Sequence, residues 1–220
     1  MARTAFIVLF CTASLIAAEQ WKTDFNVDKS TLSPTGENRY FVLKPGHTLW
    51  FARGHDAIVS KVLSETKRVD GVECRVVEER ETKNGELVEV TRDYYAIDTK
   101  NSDVYYFGEE VDTYKNGKVT GHGGSWLSGV KGAKFGLMMP GVVSKGQRFY
   151  QEQAPGVGMD RAEILAVGET VTTPAGTFTN CVRTRETTPL EKASEEKVYA
   201  PGIGVVKDAD MPLLKWTSAK

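Results

Sequence analysis

The chain has 220 residues, of which 40% are hydrophobic, so it is long enough for one large or two small β-rich domains. Its 28 basic and 29 acidic side chains almost cancel, leaving a formal net charge of −1. This balance excludes the strongly basic character that is typical of proteins binding nucleic acid or anionic membranes.

The first 18 residues have the pattern of a secretory signal peptide. Arg3 precedes an apolar run over residues 5–11, and small residues at 17–18 stand before the first glutamate. The run is shorter than the roughly 20 residues that span a bilayer core, and no later segment approaches that length. We therefore expect removal of residues 1–18 and export of one β-rich domain, residues 19–220, to the periplasm or the extracellular space.

Residues 40–107 have the pattern of a β-meander. Short segments rich in β-branched and aromatic residues follow one another, among them "HTLWF", "CRVVEE", "ELVEVTRDYYAI" and "DVYYF". Tight hairpin turns are indicated by dipeptides that accept positive φ angles. These dipeptides are Asp70-Gly71, Asn84-Gly85 and Asn116-Gly117. The segment "HDAIVSKVLSETK" fits one face of a helix, but its β-branched residues favour a strand.

Residues 108–141 form a glycine-rich crossover that nevertheless contains large apolar side chains. A disordered linker would not contain so many of them, so we expect this segment to be ordered and to cover something. Two alternatives stay open. The crossover covers the core of the protein, or it forms one wall of a ligand cavity, in which case the contacting side chains would be aromatic residues and flexible methionines. These residues are Trp126, Phe135, Met138 and Met139.

Residues 142–208 repeat the design of residues 40–107. The matched pairs occur in the same order: Gly46 with Gly146, Trp50 with Tyr150, Gly71 with Gly176, Cys74 with Cys181, and Tyr95 with Tyr199. Because "DAIVSKVLSET" occupies the place of "DRAEILAVGET", we expect a strand for both. The repeat predicts an all-β, mainly antiparallel fold, in which two tandem meanders form a curved sheet, a half-barrel or a barrel.

Two cysteines, Cys74 and Cys181, remain after the predicted cleavage. An oxidising compartment would allow one disulfide between them, and the alternative is a pair of buried free thiols.

Sequence signatures of catalysis are missing. The chain has no Walker loop, "HExxH" or "CxxC", and "GGSWL" around Ser125 lacks the glycine of a nucleophile elbow. We therefore predict no catalytic residues. A divalent metal would find an imidazole and carboxylates in His122, Asp112, Glu152 and Asp160, and the alternative is that these are solvated charges of loops and strand edges.

Several segments together resemble an uncharacterised family of exported bacterial β-rich proteins. They include "NRYFVLKPG", "VYYFGEEVDTYKNGKVTGHGGSWLSGVKGAKFGLMMPG" and "YQEQAPGVGMDRAEIL", and they cover most of the chain after the signal peptide. The C-terminal segments "PAGTF" and "YAPGIGVV" are also similar to periplasmic half-barrel proteins of unknown function related to lipoprotein carriers. Neither resemblance implies an activity. In the first pattern an acidic residue often follows the histidine, and Gly123 stands there instead, which weakens a metal role for His122.

Three functions remain open from the sequence. The first is an exported, non-enzymatic protein that binds a small hydrophobic or lipid-like ligand between its two β-repeats. The second is a structural or interaction module of the cell envelope, which binds a partner protein at an exposed sheet edge. The third is a divalent-metal-dependent protein or hydrolase that uses the His122 cluster. We predict the first, with no nucleic-acid partner and no transmembrane segment in the mature chain.

Overall fold

The structure, a computed structural model, describes residues 20–218. The predicted signal peptide, residues 1–18, lies outside the described residues. Between residues 20 and 218 no helix has the length and apolar character needed to cross a membrane. One short 3-10 turn, Lys29–Thr31, precedes the strands, and Asp28 caps it by accepting a hydrogen bond from the Ser30 amide.

The described part of the chain contains sixteen strands. In chain order they are β1 Leu32–Ser33, β2 Thr48–Arg53, β3 Asp56–Val69, β4 Val72–Lys83, β5 Glu86–Asp98, β6 Val104–Lys115, β7 Lys118–Gly121, β8 Trp126–Leu127, β9 Lys134–Met139, β10 Arg148–Tyr150, β11 Glu152–Gln153, β12 Arg161–Thr173, β13 Gly176–Thr187, β14 Ser194–Ala200, β15 Gly204–Asp208 and β16 Met211–Thr217.

These strands form one sheet with antiparallel pairing between neighbours. Its order is β10-β12-β13-β14-β15-β16-β2-β3-β4-β5-β6-β9-β11, while β1 pairs with β5, and β7 and β8 pair with β6. The two ends of this order, β10 and β11, are consecutive in the chain and are separated only by Gln151. The sheet therefore curves into a nearly closed barrel. The prediction of an all-β, mainly antiparallel fold is confirmed.

The predicted hairpin turns also form. Asp70, Asn84 and Asn116 have φ angles of 48°, 51° and 52°, and a glycine with positive φ follows each of them. These dipeptides join β3 to β4, β4 to β5 and β6 to β7. The segment that fitted both a helix and a strand is β3, a strand of 14 residues. Both of its edges are paired in the sheet, with β2 and with β4, which agrees with the preference of its β-branched side chains for a strand.

The two predicted repeats make equivalent main-chain contacts. In the first, the Gly46 amide donates to the Val62 carbonyl at 2.8 Å, and the Val62 amide donates to His47 at 2.9 Å. In the second, Gly146 donates to Ile164 at 2.8 Å, and Ile164 donates to Gln147 at 2.9 Å. The residue after each matched cysteine pairs with a matched tyrosine, Arg75 with Tyr95 and Val182 with Tyr199. Such equivalence is expected after a duplication, which stays a prediction.

Two apolar clusters form the core. The larger contains buried aromatic residues of β5 and β6, among them the fully buried Phe107, and the smaller lies around β2, β15 and β16. A fully buried phenylalanine side chain stabilises the fold by roughly 2 to 3 kcal/mol. Cys74 belongs to the larger cluster and Cys181 to the smaller, and both are free thiols. The disulfide that the sequence allowed is therefore not formed, because each thiol packs into its own cluster.

Candidate functional site

A cavity of about 470 Å³ lies inside the barrel-shaped sheet. Its wall includes side chains from β2, β4, β5, β6, β13, β14 and β15, and from the segment that follows β10. Sites for small molecules typically enclose about 300 to 1,000 Å³, so this cavity has the size of a ligand site.

The lining of the cavity is strongly acidic. Ten of the described lining residues carry carboxylates, namely Glu79, Glu81, Glu89, Asp93, Glu109, Glu152, Asp160, Glu186, Glu195 and Asp208. Lys197 is the one basic side chain among them. A cleft that is lined by charges of one sign concentrates ions of the opposite sign. The interior of the barrel is therefore suited to a cation.

The period of two along each strand explains how these carboxylates reach the interior. On β4, Val77, Glu79 and Glu81 line the cavity, whereas the intervening Glu78 and Arg80 line a separate pocket. Successive side chains of a strand point to opposite faces of the sheet. Strand β5 behaves in the same way, and its alternate residues extend the acidic lining next to that of β4.

A β-bulge in β6 adds a further carboxylate to the interior. Tyr95 pairs with Tyr106 and Asp93 with Glu109, so β6 has one more residue than β5 between the two pairs. The extra residue brings both Tyr106 and Glu109 to the cavity wall. Gly108 lies in this bulge with a φ of 126°, and a Cβ there would overlap the Trp126 carbonyl oxygen. The bulge therefore requires glycine.

One group of cavity carboxylates makes ion pairs with Lys197. Its ammonium nitrogen lies 3.2 Å from Glu186, 3.6 Å from Glu195 and 3.7 Å from Asp208. Burial alone would lower the pKa of Lys197, but the charges of Glu186 and Asp208 raise that pKa well above its ordinary value. Tyr199 donates a hydrogen bond of 3.3 Å to Glu186 and completes this group. Lys197 therefore remains charged, and its ion pairs are made with these three carboxylates.

Four other carboxylates, Glu79, Asp93, Glu109 and Glu152, form what we call the acidic cluster. Burial, together with the charge of Asp93, raises the pKa of Glu79 to about 8. Burial and neighbouring carboxylates also raise the pKa of Asp93 and that of Glu109 to about 7. The same causes raise the pKa of Glu152 well above its usual range. At neutral pH the cluster therefore holds protons that a bound cation would displace.

Aromatic rings stand beside the acidic cluster. Phe41 packs against Tyr95 with ring centroids 4.8 Å apart, and Tyr95 stacks on Tyr106 at 4.8 Å. All three rings line the cavity, and the Tyr106 hydroxyl donates a hydrogen bond of 2.6 Å to Asp93. Organic cations are attracted by the faces of aromatic rings and also by carboxylates. This wall and the acidic cluster together provide both kinds of group that bind an organic ammonium ion.

The four predicted ligand-contacting residues lie in three different parts of the structure, namely the cavity, a neighbouring pocket and the core. Met138 lines the cavity, and its sulfur lies 3.5 Å from the side-chain amide of Gln151. Trp126 lines a neighbouring pocket instead. Phe135 stacks on Phe107, and Met139 is fully buried in the core. The crossover therefore covers the core of the protein with some side chains and faces hollow space with others.

The four predicted metal ligands lie in two separate pairs. Glu152 and Asp160 line the cavity. His122 and Asp112 line a different pocket, where the imidazole Nδ1 lies 2.8 Å from the Asp112 carboxylate. Asp112 shares its strand face with Glu110, and both point away from the acidic cluster. Within residues 20–218 no group of three or more histidine, cysteine or acidic side chains is placed to hold a metal ion.

Two members of the acidic cluster, Glu79 and Asp93, were missed by reasoning from the sequence. Both lie in strand segments that are expected to present one polar face to water. The signal that would have found Glu79 is the run of charged residues 78–81, which places charge on both faces of one strand. A strand with two polar faces cannot pack on a purely apolar core, so one face must border water or a polar interior.

The fold and the cavity define a barrel-shaped, all-β protein with a carboxylate-lined interior. No protein-family model matches the chain, and no curated protein matches it. Among solved structures, a candidate lipoprotein from Parabacteroides distasonis aligns with 83% of this chain and 100% of its own, at 13% identity and a TM-score of 0.40. Such a distant likeness carries no information about function.

Proposed function

We propose that this protein is a non-enzymatic binding protein that takes up a small organic cation in the cavity of its barrel. One observation carries the proposal. The acidic cluster faces an aromatic wall, while Lys197 makes its ion pairs with other carboxylates. Carboxylates that are buried without a basic partner cost free energy, and a bound cation removes that cost.

The chemistry of the lining favours an amine over a lipid-like ligand within the cavity. An apolar chain placed against the acidic cluster would separate the carboxylates from water without offering them a partner. An ammonium group offers charge and hydrogen-bond donors to the same oxygens, and Tyr95 and Tyr106 offer ring faces to its carbon atoms. A diamine of a few carbon atoms fits a volume of about 470 Å³.

Isothermal titration calorimetry tests the proposal with putrescine as the probe. Butanediol, which has the same length without charge, and succinate, which has the opposite charge, serve as controls. We expect one putrescine to bind per chain and neither control to bind. Calcium and zinc chloride form a further arm. Stoichiometric metal binding that excludes putrescine, or failure of putrescine to bind at all, would overturn the proposal.

Two neighbouring residues provide a matched pair of variants. Glu79 faces the cavity and Glu78 faces the opposite side of the same strand, where it pairs with Arg92 at 3.3 Å. We expect Glu79→Gln to weaken putrescine binding about tenfold, which corresponds to the loss of one charge-assisted hydrogen bond. Glu78→Gln should leave that affinity unchanged. Equal losses in both variants would show that the effect is not local to the cavity.

The place of action proposed for this protein is outside the cytoplasm. The support is the sequence pattern of residues 1–18, with its basic start, apolar run and small residues. Cell fractionation followed by N-terminal sequencing of the recovered protein tests this point. A mature protein that begins near residue 19 and is found in the periplasm or the medium is the expected result. Recovery from the cytoplasm with an intact first segment would contradict it.

A further inference from the structure

A second hollow of about 330 Å³ lies next to the cavity, under the glycine-rich crossover. We call it the apolar pocket, because most of its lining side chains are hydrophobic. They are Trp126, Leu127, Val130, Ala133, Ala154, Pro155 and Val157. Val130 is 49% exposed and Val157 48% exposed, so the rim of the pocket presents large apolar groups to solvent. Covering such groups is favourable in water.

The apolar pocket begins where the acidic cluster ends. Glu109 and Val157 line both hollows. The Trp126 ring packs edge-on against Tyr106, with centroids 5.4 Å apart, and Tyr106 belongs to the aromatic wall of the cavity. A molecule longer than a small diamine could therefore occupy both hollows at once, with its charged end beside Glu109.

A tight turn separates the two hollows. Ala154 and Gly158 exchange two main-chain hydrogen bonds, of 2.7 Å and 3.0 Å. A Cβ on Gly158 would overlap the Glu152 carboxylate and would lie 3.3 Å from the indole nitrogen of Trp126. The turn thus places a carboxylate of the acidic cluster and the aromatic side chain of the apolar pocket next to the same side of one glycine.

The indole N–H of Trp126 is left unpaired by the described residues in the wall between the two hollows. Trp126 is only 6% exposed, and its indole nitrogen has no hydrogen-bond partner among the described residues. A buried donor without an acceptor costs free energy, and native structures contain few of them. Glu109 and Val157, which line both hollows, mark where a ligand would extend from the cavity into the apolar pocket.

We propose that the ligand is an amphipathic amine, with its ammonium group in the acidic cluster and its alkyl or aryl portion in the apolar pocket. This inference rests on the proposed cation-binding function and names the class of cation. The apolar portion covers the rim formed by Val130 and Val157, while the charged end pairs with Glu109 and Glu152. A neutral lipid would lack the charge pairing with the acidic cluster, and putrescine lacks an apolar portion to cover the rim.

A homologous series of n-alkylammonium ions tests the inference on the full chain. Titrations with ethyl-, butyl- and hexylammonium should show an affinity that rises about three- to fourfold for each added methylene group, as expected when each one is buried. Hexanol and hexanoate are the neutral and anionic controls. Hexylammonium should also change the tryptophan fluorescence, and Trp126→Phe should abolish that change.

A rim variant separates the apolar pocket from the cavity. Val130→Asn should weaken hexylammonium binding about fivefold, because a half-buried valine contributes roughly half of its full burial free energy, and it should leave putrescine binding unchanged. Val119→Asn is the matched control, since Val119 is 46% exposed on β7 and lies outside the pocket.

Each other outcome has a distinct meaning. If putrescine binds but hexylammonium binds no more tightly than ethylammonium, the inference fails while the proposed function stands. If hexanol binds as tightly as hexylammonium, the apolar pocket does not act together with the acidic cluster, and the inference again fails. If no amine binds, the proposed function fails and the inference fails with it.

Discussion

The replacement Glu79→Gln should stabilise the protein, and increasingly so as the pH rises. Burial and the charges of Asp93 and Asp208 raise the pKa of Glu79 from 4.5 to about 8. The folded state therefore holds a proton on Glu79 between these two values, whereas the unfolded chain has released it. Stability must fall as the pH rises through this window, because the folded state binds more protons there than the unfolded chain.

The size of the effect follows from the pKa difference. One pKa unit corresponds to about 1.4 kcal/mol. An isolated group with this pKa difference would therefore lower the free energy of unfolding by about 1 kcal/mol at pH 5, about 3 kcal/mol at pH 7 and about 5 kcal/mol at pH 9. Neighbouring carboxylates such as Asp93 share the repulsion and adjust their own protonation. We therefore expect Glu79→Gln to raise the free energy of unfolding by about half as much, on the order of 2 to 3 kcal/mol, at pH 9.

Urea-induced unfolding at about pH 5, 7 and 9, followed by circular dichroism, measures this difference. Glu86→Gln is the control, because Glu86 is exposed at the start of β5 and lies outside the cavity. The control should change the free energy of unfolding by less than about 0.5 kcal/mol at every pH. A Glu79→Gln protein that is less stable than wild type at pH 9, or a difference that does not grow with pH, would refute the reasoning.

Three further predictions concern proton release, the bulge and the thiols. Putrescine binding should release protons from the acidic cluster and should tighten between about pH 6 and pH 8. Calorimetry in buffers of different ionisation enthalpy detects the released protons. Binding that is independent of buffer and pH would contradict this prediction. Gly108→Ala should lower the free energy of unfolding by about 3 kcal/mol or more, because its Cβ would overlap the Trp126 carbonyl. Gly123→Ala, which has open space at the Cβ position, should be nearly neutral when its urea-induced unfolding is measured in the same way, and equal losses would refute the steric account. Cys74 and Cys181 should resist thiol reagents until the protein unfolds, because both are buried and burial raises the pKa of Cys74 to about 12. A reductant should leave Tm unchanged, because both thiols are free. A lower Tm under reduction would reveal a disulfide.

Local sequence patterns predicted the strands and their turns well, because these features depend on neighbouring residues. The dipeptide Asn84-Gly85 requires only its own backbone freedom to make a turn, and the β-branched residues of β3 favour an extended chain wherever they lie. The repeat of segments 40–107 and 142–208 likewise predicted that the chain would be one curved antiparallel structure. Closure of the barrel was left open, because it depends on pairing between distant strands, above all β16 with β2.

The site was harder to predict, because a sequence does not state which face of a strand is inside. Glu78 and Glu79 are adjacent and chemically alike, yet one lies outside the barrel and the other lines its cavity. The bulge at Gly108 shifts the alternation within β6, so that Glu109 joins Tyr106 at the cavity wall. A period-two pattern carried through that strand would have placed Glu109 on the wrong face.

The sequence by itself therefore determined most of the longer strands, the mainly antiparallel class and the ordered conformation of the crossover, since these follow from local conformational preference and apolar content. Only the tertiary structure decided that the interior is acidic, that Met138 faces the cavity while Met139 is buried in the core, and that the two cysteines stay apart. The physical reason is that burial of a charge depends on groups far away in the chain. Curving the sheet brings carboxylates from β4, β5, β6 and the segment after β10 into the wall of one cavity, where burial and mutual repulsion raise their pKa values.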